Sequence, residues 1–545
     1  MSSSQVSERR TGGQAVVAIL RRHGVRYAFS VPGESYLEVL DALVDEPSIR
    51  LITARHEAAA ANMAVAHARL TGRPGVALVS RGPGATHAAV GVHIASQDSL
   101  PMLLLVGQVP RAHLDRDAFQ EVDYERLFGG MARAVIEPGH ADQVPEVMAR
   151  AFAACQGGRP GPVVVVLPED LLAEECGTED LGPRPRPEPA PDEADLARVL
   201  EMLDGADRPL MVVGGPGWEQ VASGVLEKIA GAAELPVAAA FRSQDLLDNR
   251  SSAYVGALGF GGVPTLAERV RESDLLLAVG TRIDAMTAGH YRVIPAPAPG
   301  VPLIHVLPDP DELGRVFETT VAVQASPATF LQAVGDRLGA GGRRAGWRRR
   351  LRDEYLASMS SPAVDPVDLA TILRHLSDRL PEDAVITNGA GNYSAFIQRY
   401  FQFKRPGTQL APVTGAMGFG VPAAVAAKAI RPERTVVCLA GDGCFLMSAQ
   451  ELATAALHEL PIVVIVVSNG SYGTIRSHQR RRFPGREIGT AIRNPDFVAF
   501  ARSFGAQGER ITSTAEFAPA LERALAAGRT ALIEIVVDPS VTVAG

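Results

Sequence analysis

The sequence has 545 residues, 46% of them hydrophobic and 21% charged, with a formal net charge of −8. That length accommodates about three domains with full cores, and the composition is that of an ordinary globular chain. The acidic balance and the lack of a long basic stripe argue against nucleic acid as a partner, and no apolar run approaches the roughly 20 residues that span a bilayer.

The chain opens on "MSSSQVSERRTGG", which has no apolar leader core. Strand-like runs follow in "VRYAFSV", "IRLITA", "GVALVS", "PMLLLVG" and "GPVVVVLP", separated by helix-length patterns such as "SYLEVLDALV" and "HEAAAANMAVAHARLTG". The Pro-rich, charged stretch "GTEDLGPRPRPEPAPDE" (177–193) reads as a linker. A second segment brings "PLMVVGG", "PVAAAF", "DLLLAVG" and "PLIHVLP". Another linker is expected around "GAGGRRAGWRRR" (339–350). Its arginines, and those of "RSHQRRRFPGRE", read as solvated helix or loop faces. The last segment holds "DAVITNG", "TVVCLAGDG", "PIVVIVVSNG" and "ALIEIVVD". Continuous apolar strands, each followed by a helix, predict an α/β fold of three doubly wound parallel-sheet domains at 1–176, 193–338 and 355–545. The first and third look alike. Cys155, Cys176, Cys438 and Cys444 have neither metal-ligand nor disulfide-framework spacing, so a reducing, cytoplasmic location is expected.

In such sheets ligands bind at the carboxyl ends of the strands. Those ends carry "SVPGES", "SRGPGATH", "VGQVP", "TNGAGNY", "AGDGCF" and "SNGSYG". Asp442 sits in a Gly-Asp-Gly turn, and Asn469 ends the next strand. Alone, the first is an N-cap and the second a turn residue. As a pair they stand one helix and one strand apart, at strand ends about 5 Å from each other. Two such oxygen ligands suit Mg²⁺, which takes phosphate oxygens in its remaining sites, and the helix after the turn offers N–H groups to a phosphate.

This stretch resembles the thiamine diphosphate signature, Gly-Asp-Gly followed some two dozen residues later by Asn. Nearly the whole chain resembles the acetolactate synthase-like branch of that family, with pyruvate oxidase and benzoylformate decarboxylase. The resemblance implies that Asp442, Asn469 and the backbone of Ser471 bind Mg²⁺, with Ser468 where the family often has a further Asn. It implies cofactor contacts from Gly441, Gly443, Cys444, Tyr472 and Gly473, and from Asn392 and Tyr393 at the preceding strand end. In "APVTGAMGFGVPAA" it gives Gly415 a carbonyl facing the aminopyrimidine and Met417 a place under the thiazolium, although a Met can equally be core filler. Glu57 matches the catalytic glutamate. Alone it would be a helix N-terminal acid. In the family role its carboxyl protonates the pyrimidine N1′, so that the 4′-nitrogen can take the C2 proton. The three segments become pyrimidine-binding, central Rossmann-like and diphosphate-binding domains. Because the family builds its sites across subunits, at least a homodimer and commonly a homotetramer is implied.

"RDAFQEVD" resembles the synthase stretch whose Gln, here Gln120, lines the active site. The expected activity is acetolactate synthase-like decarboxylation and carboligation of a 2-oxo acid. Two departures stand against the biosynthetic role: Glu34 where the synthases usually have Gly, and His478 where they place Trp. Both leave open simple 2-oxo acid decarboxylation, or carbon–carbon lyase activity on hydroxy ketones or diketones. "VVGGPGWEQ", "GALGFGG" and "VGTRIDAMTAG" resemble FAD-binding stretches, including Arg282 and Asp284. Met286 replaces the second Arg, and FAD stays open. A dinucleotide oxidoreductase built on "VVGGPG" would leave Glu57 and the Asp442–Asn469 pair unexplained. A non-catalytic relative would have no need of all three.

Overall fold

The computed structural model describes residues 10–185, 188–222, 224–339 and 342–539. Most of the stretch read for a leader, and parts of both stretches read as linkers, lie outside these described residues. The chain divides into two compact units. One contains the described chain before residue 186 with Val425–Ile430 and Ala453–His458, and the other contains the rest.

The first unit is built on six parallel strands: β1 (Tyr27–Ser30), β2 (Arg50–Thr53), β3 (Gly75–Val79), β4 (Met102–Gln108), β5 (Ala134–Ile136) and β6 (Pro162–Pro168), in the order β2-β1-β3-β4-β6-β5. Every residue of β3, β4 and β6 is buried, as a sheet covered on both faces requires. Helix α1 (Glu57–Thr71) follows β2, and α2 (Pro83–Asp98) follows β3. Buried alanines line α1, so α2 comes close enough that a side chain at Gly91 would strike Ala61. A short antiparallel pairing of Arg10–Thr11 with Glu175–Cys176 ties the ends of this region together.

The second unit carries two six-stranded parallel sheets. The central one has β7 (Pro209–Val213), β8 (Val237–Ala239), β9 (Tyr254–Ala257), β10 (Leu275–Val279), β11 (Leu303–Leu307) and β12 (Val321–Gln324), ordered β9-β8-β7-β10-β11-β12. Counted within itself this is the 3-2-1-4-5-6 order of doubly wound sheets. The last has β13 (Val385–Asn388), β14 (Gln409–Leu410), β15 (Val436–Gly441), β16 (Val463–Ser468), β17 (Gln507–Ile511) and β18 (Ala531–Val536), ordered β14-β13-β15-β16-β18-β17. Its internal order matches that of the first sheet, the likeness expected from the sequence.

One expectation fails. The stretch read as a linker at 339–350 runs into helix α3 (Ala345–Ser358). Trp347, Leu351 and Tyr355, one per turn, bury themselves in the central cores, and Trp347 Nε1 donates to Pro209 O at 3.0 Å. Arg344 is buried as well, donating to Ala206 O (3.2 Å) and Ala233 O (3.1 Å). These two side chains are therefore structural, not a solvated face.

A buried polar seam pins the segment 242–249 to the first two strands of the last sheet. Asp245 Oδ2 accepts from Thr408 N (3.0 Å) and Gln409 N (3.1 Å), and Asn249 Oδ1 accepts from Phe403 N (2.9 Å). Arg242 donates to Pro412 O and, at 2.7 Å, to Gly389 O. All four cysteines are buried and none forms a disulfide. No helix among the described residues is long and apolar enough to cross a membrane.

Candidate active site

In the first unit the carboxyl ends of β1 to β4 gather three of the residues singled out from sequence. Glu57 opens α1. The N-cap His56 accepts from Ala58 N through Nδ1 at 3.1 Å. Glu57 Oε2 lies 2.8 Å from His87 Nδ1 on α2, and the His87 ring stacks on His56 with centroids 4.5 Å apart. Burial lowers the pKa of His56, the His87 charge lowers it further, and Glu57 opposes both. The pair therefore favours a neutral His56 beside the carboxylate. His87 carried no role in the sequence reading, because a His inside "GPGATHAAVG" has no spacing that singles it out.

The loop 82–84 links this carboxylate to Gln120. Gly82 has φ of +56° and donates its N–H to Tyr124 Oη at 2.9 Å. A Cβ there would lie 2.8 Å from Gln120 O, and one at Gly84 would lie 3.4 Å from Glu57 Oε1. Gln120 itself has φ of +66°. Glu34 begins a short 3-10 turn after β1 and is exposed. The next residue joins β1's end to β3's end through Ser35 Oγ and Ser80 Oγ, 3.2 Å apart. Glu34's carboxylate makes no hydrogen bond or ion pair among the described residues.

The second unit gathers the remaining candidates. β15 ends at Gly441, and Asp442 starts a helical turn of four residues, Asp442–Phe445. The longer helix expected directly after Gly-Asp-Gly is not there. Ser448 N bonds to Phe445 O, Glu451 N bonds to Ser448 O, and regular helix resumes only at Glu451. A macrodipole argument for phosphate loses its force at that length, so the local N–H groups carry it.

Asp442 is 2% exposed. Its Oδ1 accepts from Gly443 N (2.8 Å), and its Oδ2 accepts from Asn469 N (3.1 Å), Gly470 N (2.7 Å) and Asn494 Nδ2 (2.8 Å). Asn469 Oδ1 accepts from Ser471 N (3.0 Å), and Ser471 O accepts from Gly473 N (2.8 Å). Both oxygens keep a second lone pair.

Asn392 and Tyr393 start helix α4 (Asn392–Tyr400), beside this cluster. Asn392 Oδ1 accepts from Thr474 Oγ1 at 2.8 Å, and a Cβ at Gly473 would lie 3.3 Å from Asn392 Nδ2. Tyr393 is buried, which pushes its phenol pKa well up. Its hydroxyl donates to Cys444 Sγ (3.4 Å) and accepts from Gly389 N (3.1 Å). Cys444 Sγ also accepts from Gly418 N at 3.3 Å. The side chains of Tyr393 and Cys444 thus form the wall and are spent on it. Tyr472 covers Gly443, where a Cβ would lie 2.7 Å from the tyrosine ring. Gly415 has φ of +67° with open space around it, and Met417 packs on the last sheet's core.

A cation suits this donor set. Asp442 is a buried carboxylate with no Arg, Lys or His partner among the described residues, an arrangement that needs compensation. Beside it Asn494 Oδ1 and Ser471 Oγ are buried without any hydrogen-bond partner. Oxygen donors around one carboxylate are what Mg²⁺ takes. The central stretches offer a flavin less. Asp284 spends its carboxylate on Met286 N (2.9 Å), Thr287 N (3.1 Å) and Thr287 Oγ1 (2.6 Å). A Cβ at Gly261 would lie 2.6 Å from the Ala395 backbone, so that glycine serves internal packing.

Comparison with known proteins agrees across the chain. Residues 10–127, 196–334 and 389–535 match the thiamine pyrophosphate enzyme N-terminal TPP binding domain, central domain and C-terminal TPP binding domain. The chain is 33% identical over 532 residues to "Acetolactate synthase isozyme 2 large subunit" of Escherichia coli (strain K12), covering 97% of this chain and 95% of that relative. It is 34% identical over 524 residues to "Acetolactate synthase large subunit" of Parasynechococcus marenigrum (strain WH8102), covering 92% and 83%. Against "Probable acetolactate synthase large subunit" of Methanocaldococcus jannaschii it is 30% identical over 552 residues, covering 97% and 92%.

Proposed function

The chain belongs to the thiamine pyrophosphate enzymes and is acetolactate synthase-like, and from that premise we propose that it uses Mg²⁺ with its thiamine diphosphate to decarboxylate a 2-oxo acid and join the remaining fragment to a second carbonyl. The observation that carries the metal is the buried Asp442, which has no cationic side chain beside it among the described residues, with two oxygens next to it that lack partners there.

When bound, thiamine diphosphate supplies a carbon nucleophile that also accepts the electrons of a breaking neighbouring bond. The chain's own residues bind, orient and move protons. Asp442, the Asn469 side chain and the Ser471 carbonyl hold the cation, and Gly441, Gly443, Tyr472, Gly473 and the start of α4 contact the diphosphate. Cys444 and Tyr393 serve that contact through backbone only, since their side chains are spent. Gly415 and Met417 orient the rings. Glu57 holds the proton at the pyrimidine N1′, with its carboxylate steadied by His87. Gln120 lines the space for the second carbonyl.

Glu34 supports a second reading. An exposed carboxylate with no partner among the described residues, at the end of β1, can deliver a proton in place of a second carbonyl, which would make the enzyme a non-oxidative decarboxylase or a lyase of hydroxy ketones or diketones. Product NMR with purified protein, thiamine diphosphate, Mg²⁺ and pyruvate separates the two. Cofactor-dependent acetolactate supports carboligation, acetaldehyde supports a decarboxylase, and no turnover of pyruvate with the cofactor bound points to a lyase of hydroxy ketones or diketones.

The working assembly is at least a homodimer, commonly a homotetramer, in the cytoplasm, with the domains read at 1–176, 193–338 and 355–545 and helix α3 added to the central one. FAD on the central sheet stays open, and the absorbance spectrum of the purified protein decides it: a flavin band places FAD there, and its lack in protein purified with added FAD removes it.

A further inference from the structure

Asn494 lies outside every motif that pointed to the site, yet it touches Asp442. Its Nδ2 donates to Asp442 Oδ2 at 2.8 Å and to Ser468 Oγ at 3.3 Å. Its Oδ1 is buried and has no hydrogen-bond partner among the described residues. The orientation of this amide is fixed by chemistry: flipped, it would set an oxygen against the carboxylate.

Asn494 also ends the return limb of an excursion that leaves from the proposed cation loop. Ser471 and Ala491 form an antiparallel bridge. Tyr472 N donates to Thr490 O at 2.8 Å, and Ile492 N donates to Gly470 O at 2.9 Å. Between these limbs lies helix α5 (Gly473–Arg482), which has no buried residue. Ile475, Phe483 and Ile488 are 54%, 52% and 80% exposed. A helix of this length with no packed face has little stability of its own. The excursion is therefore held at its base, by this backbone pairing and by the contact of Asn494 with Asp442.

We propose that Asn494 is a positioning residue of the cation site, which holds Asp442 in its ligating orientation and couples the 473–494 excursion to the loading of that site. The inference rests on the reading of Asp442 as a Mg²⁺ ligand. The amide spends its donor on the carboxylate and keeps its oxygen for the cation or for water bound to it. Partners of this kind govern metal affinity nearly as strongly as the ligands do.

The test uses the full-length protein and two readouts besides turnover. Calorimetry gives thiamine diphosphate binding as Mg²⁺ is titrated. Amide hydrogen exchange gives the protection of 473–488 with and without cofactor and Mg²⁺. Asn494→Ala, and Asn494→Leu as a same-sized apolar variant, are expected to raise the Mg²⁺ needed for half-maximal binding by about ten- to a hundredfold and to abolish the protection gained on loading. Asp496→Ala is the control for a merely structural role. Asp496 caps the helix Phe497–Ser503 through Val498 N (3.0 Å) and Ala499 N (3.1 Å). Its loss is expected to lower the melting temperature and leave the Mg²⁺ requirement alone. Asn494 variants within about threefold of a Mg²⁺-dependent wild type, or an equal shift in Asp496→Ala, overturn this inference alone. A wild type that binds cofactor without regard to Mg²⁺ overturns the reading of Asp442 as well.

Discussion

Glu57 Oε2 is held 2.8 Å from His87 Nδ1, and His87 is itself stacked on the N-cap His56 at 4.5 Å. The contact fixes one carboxylate oxygen and leaves Oε1 on the Gly84 side, where a Cβ would approach to 3.4 Å. The geometry gives the two residues separable effects. Glu57→Gln keeps the shape but not the acid, and is expected to lower kcat by about 10²- to 10⁴-fold with cofactor affinity nearly unchanged. His87→Ala frees the carboxylate without removing it, and is expected to cost about tenfold in kcat. His87→Asn, which can still donate, should recover most of that loss. Steady-state kinetics with calorimetry on the same samples checks both. Full activity in Glu57→Gln would remove it from the proton path.

Asp442 accepts four N–H groups on two oxygens. Asp442→Ala leaves those donors facing a void and is expected to weaken Mg²⁺-dependent cofactor binding by more than about a hundredfold. Asp442→Asn should fare little better, because an amide accepts on one side only and turns a donor toward the N–H groups on the other. Unchanged affinity by calorimetry in either variant would show that the carboxylate ligates nothing.

The sheets, and the strand ends where the candidate site residues stand, were legible because both depend on local pattern. Buried parallel strands need uninterrupted apolar runs, and "GPVVVVLP" or "PIVVIVVSNG" can hardly be anything else. Glu57, Asp442 and Asn469 stand where those runs break. Asn494 was illegible because it comes to Asp442 from 52 positions away, carried by backbone pairing along a loop with no pattern of its own. The buried face of helix α3 was missed because its arginines dominate the composition, although Trp347, Leu351 and Tyr355 recur every four residues. The side chains of Tyr393 and Cys444 turned inward to each other, a contact between two different strand ends that no spacing rule reports.

Arg242 was illegible for the same reason, since nothing in "AAFRSQD" marks it. It is 3% exposed and donates to the carbonyls of Gly389 and Pro412, one on each of the loops that carry Asn392 and Gly415. Arg242→Met keeps much of the bulk and removes the charged donor from both carbonyls, leaving Gly389 O to Asn388 Nδ2 (2.8 Å) and Pro412 O to Gly415 N (3.0 Å). It is expected to destabilise the protein by about 2–4 kcal/mol and to weaken cofactor binding. Arg242→Lys, with one donor group in place of a fork, should restore stability in part but cofactor affinity less. Chemical denaturation and calorimetry measure the two. Parallel recovery of both by Lys would make the residue a simple brace.

His305, on the central β11, gives the protein a pH dependence away from the site. Its Nε2 lies 2.8 Å from Thr281 O, so that nitrogen carries the proton, and Nδ1 is buried with no partner among the described residues. Burial lowers its pKa, as it does for His23, His56 and His458. The unfolded chain takes up these protons near the ordinary value of about 6.5, while the folded chain resists them. Above that value both states are neutral and the stability is fully present. As the pH falls from there toward the lowered folded values, the unfolded state gains protons that the folded state refuses. Stability then declines by up to about 1.4 kcal/mol per pH unit for the buried His305, and by less for His23, His56 and His458, whose half-exposed rings are screened by solvent. The denaturant midpoint is therefore expected to fall between about pH 7 and pH 5. His305→Gln can keep a donor to Thr281 O and cannot titrate. It should flatten that decline and change the midpoint little at neutral pH, whereas an unaltered slope would assign the decline to the other histidines.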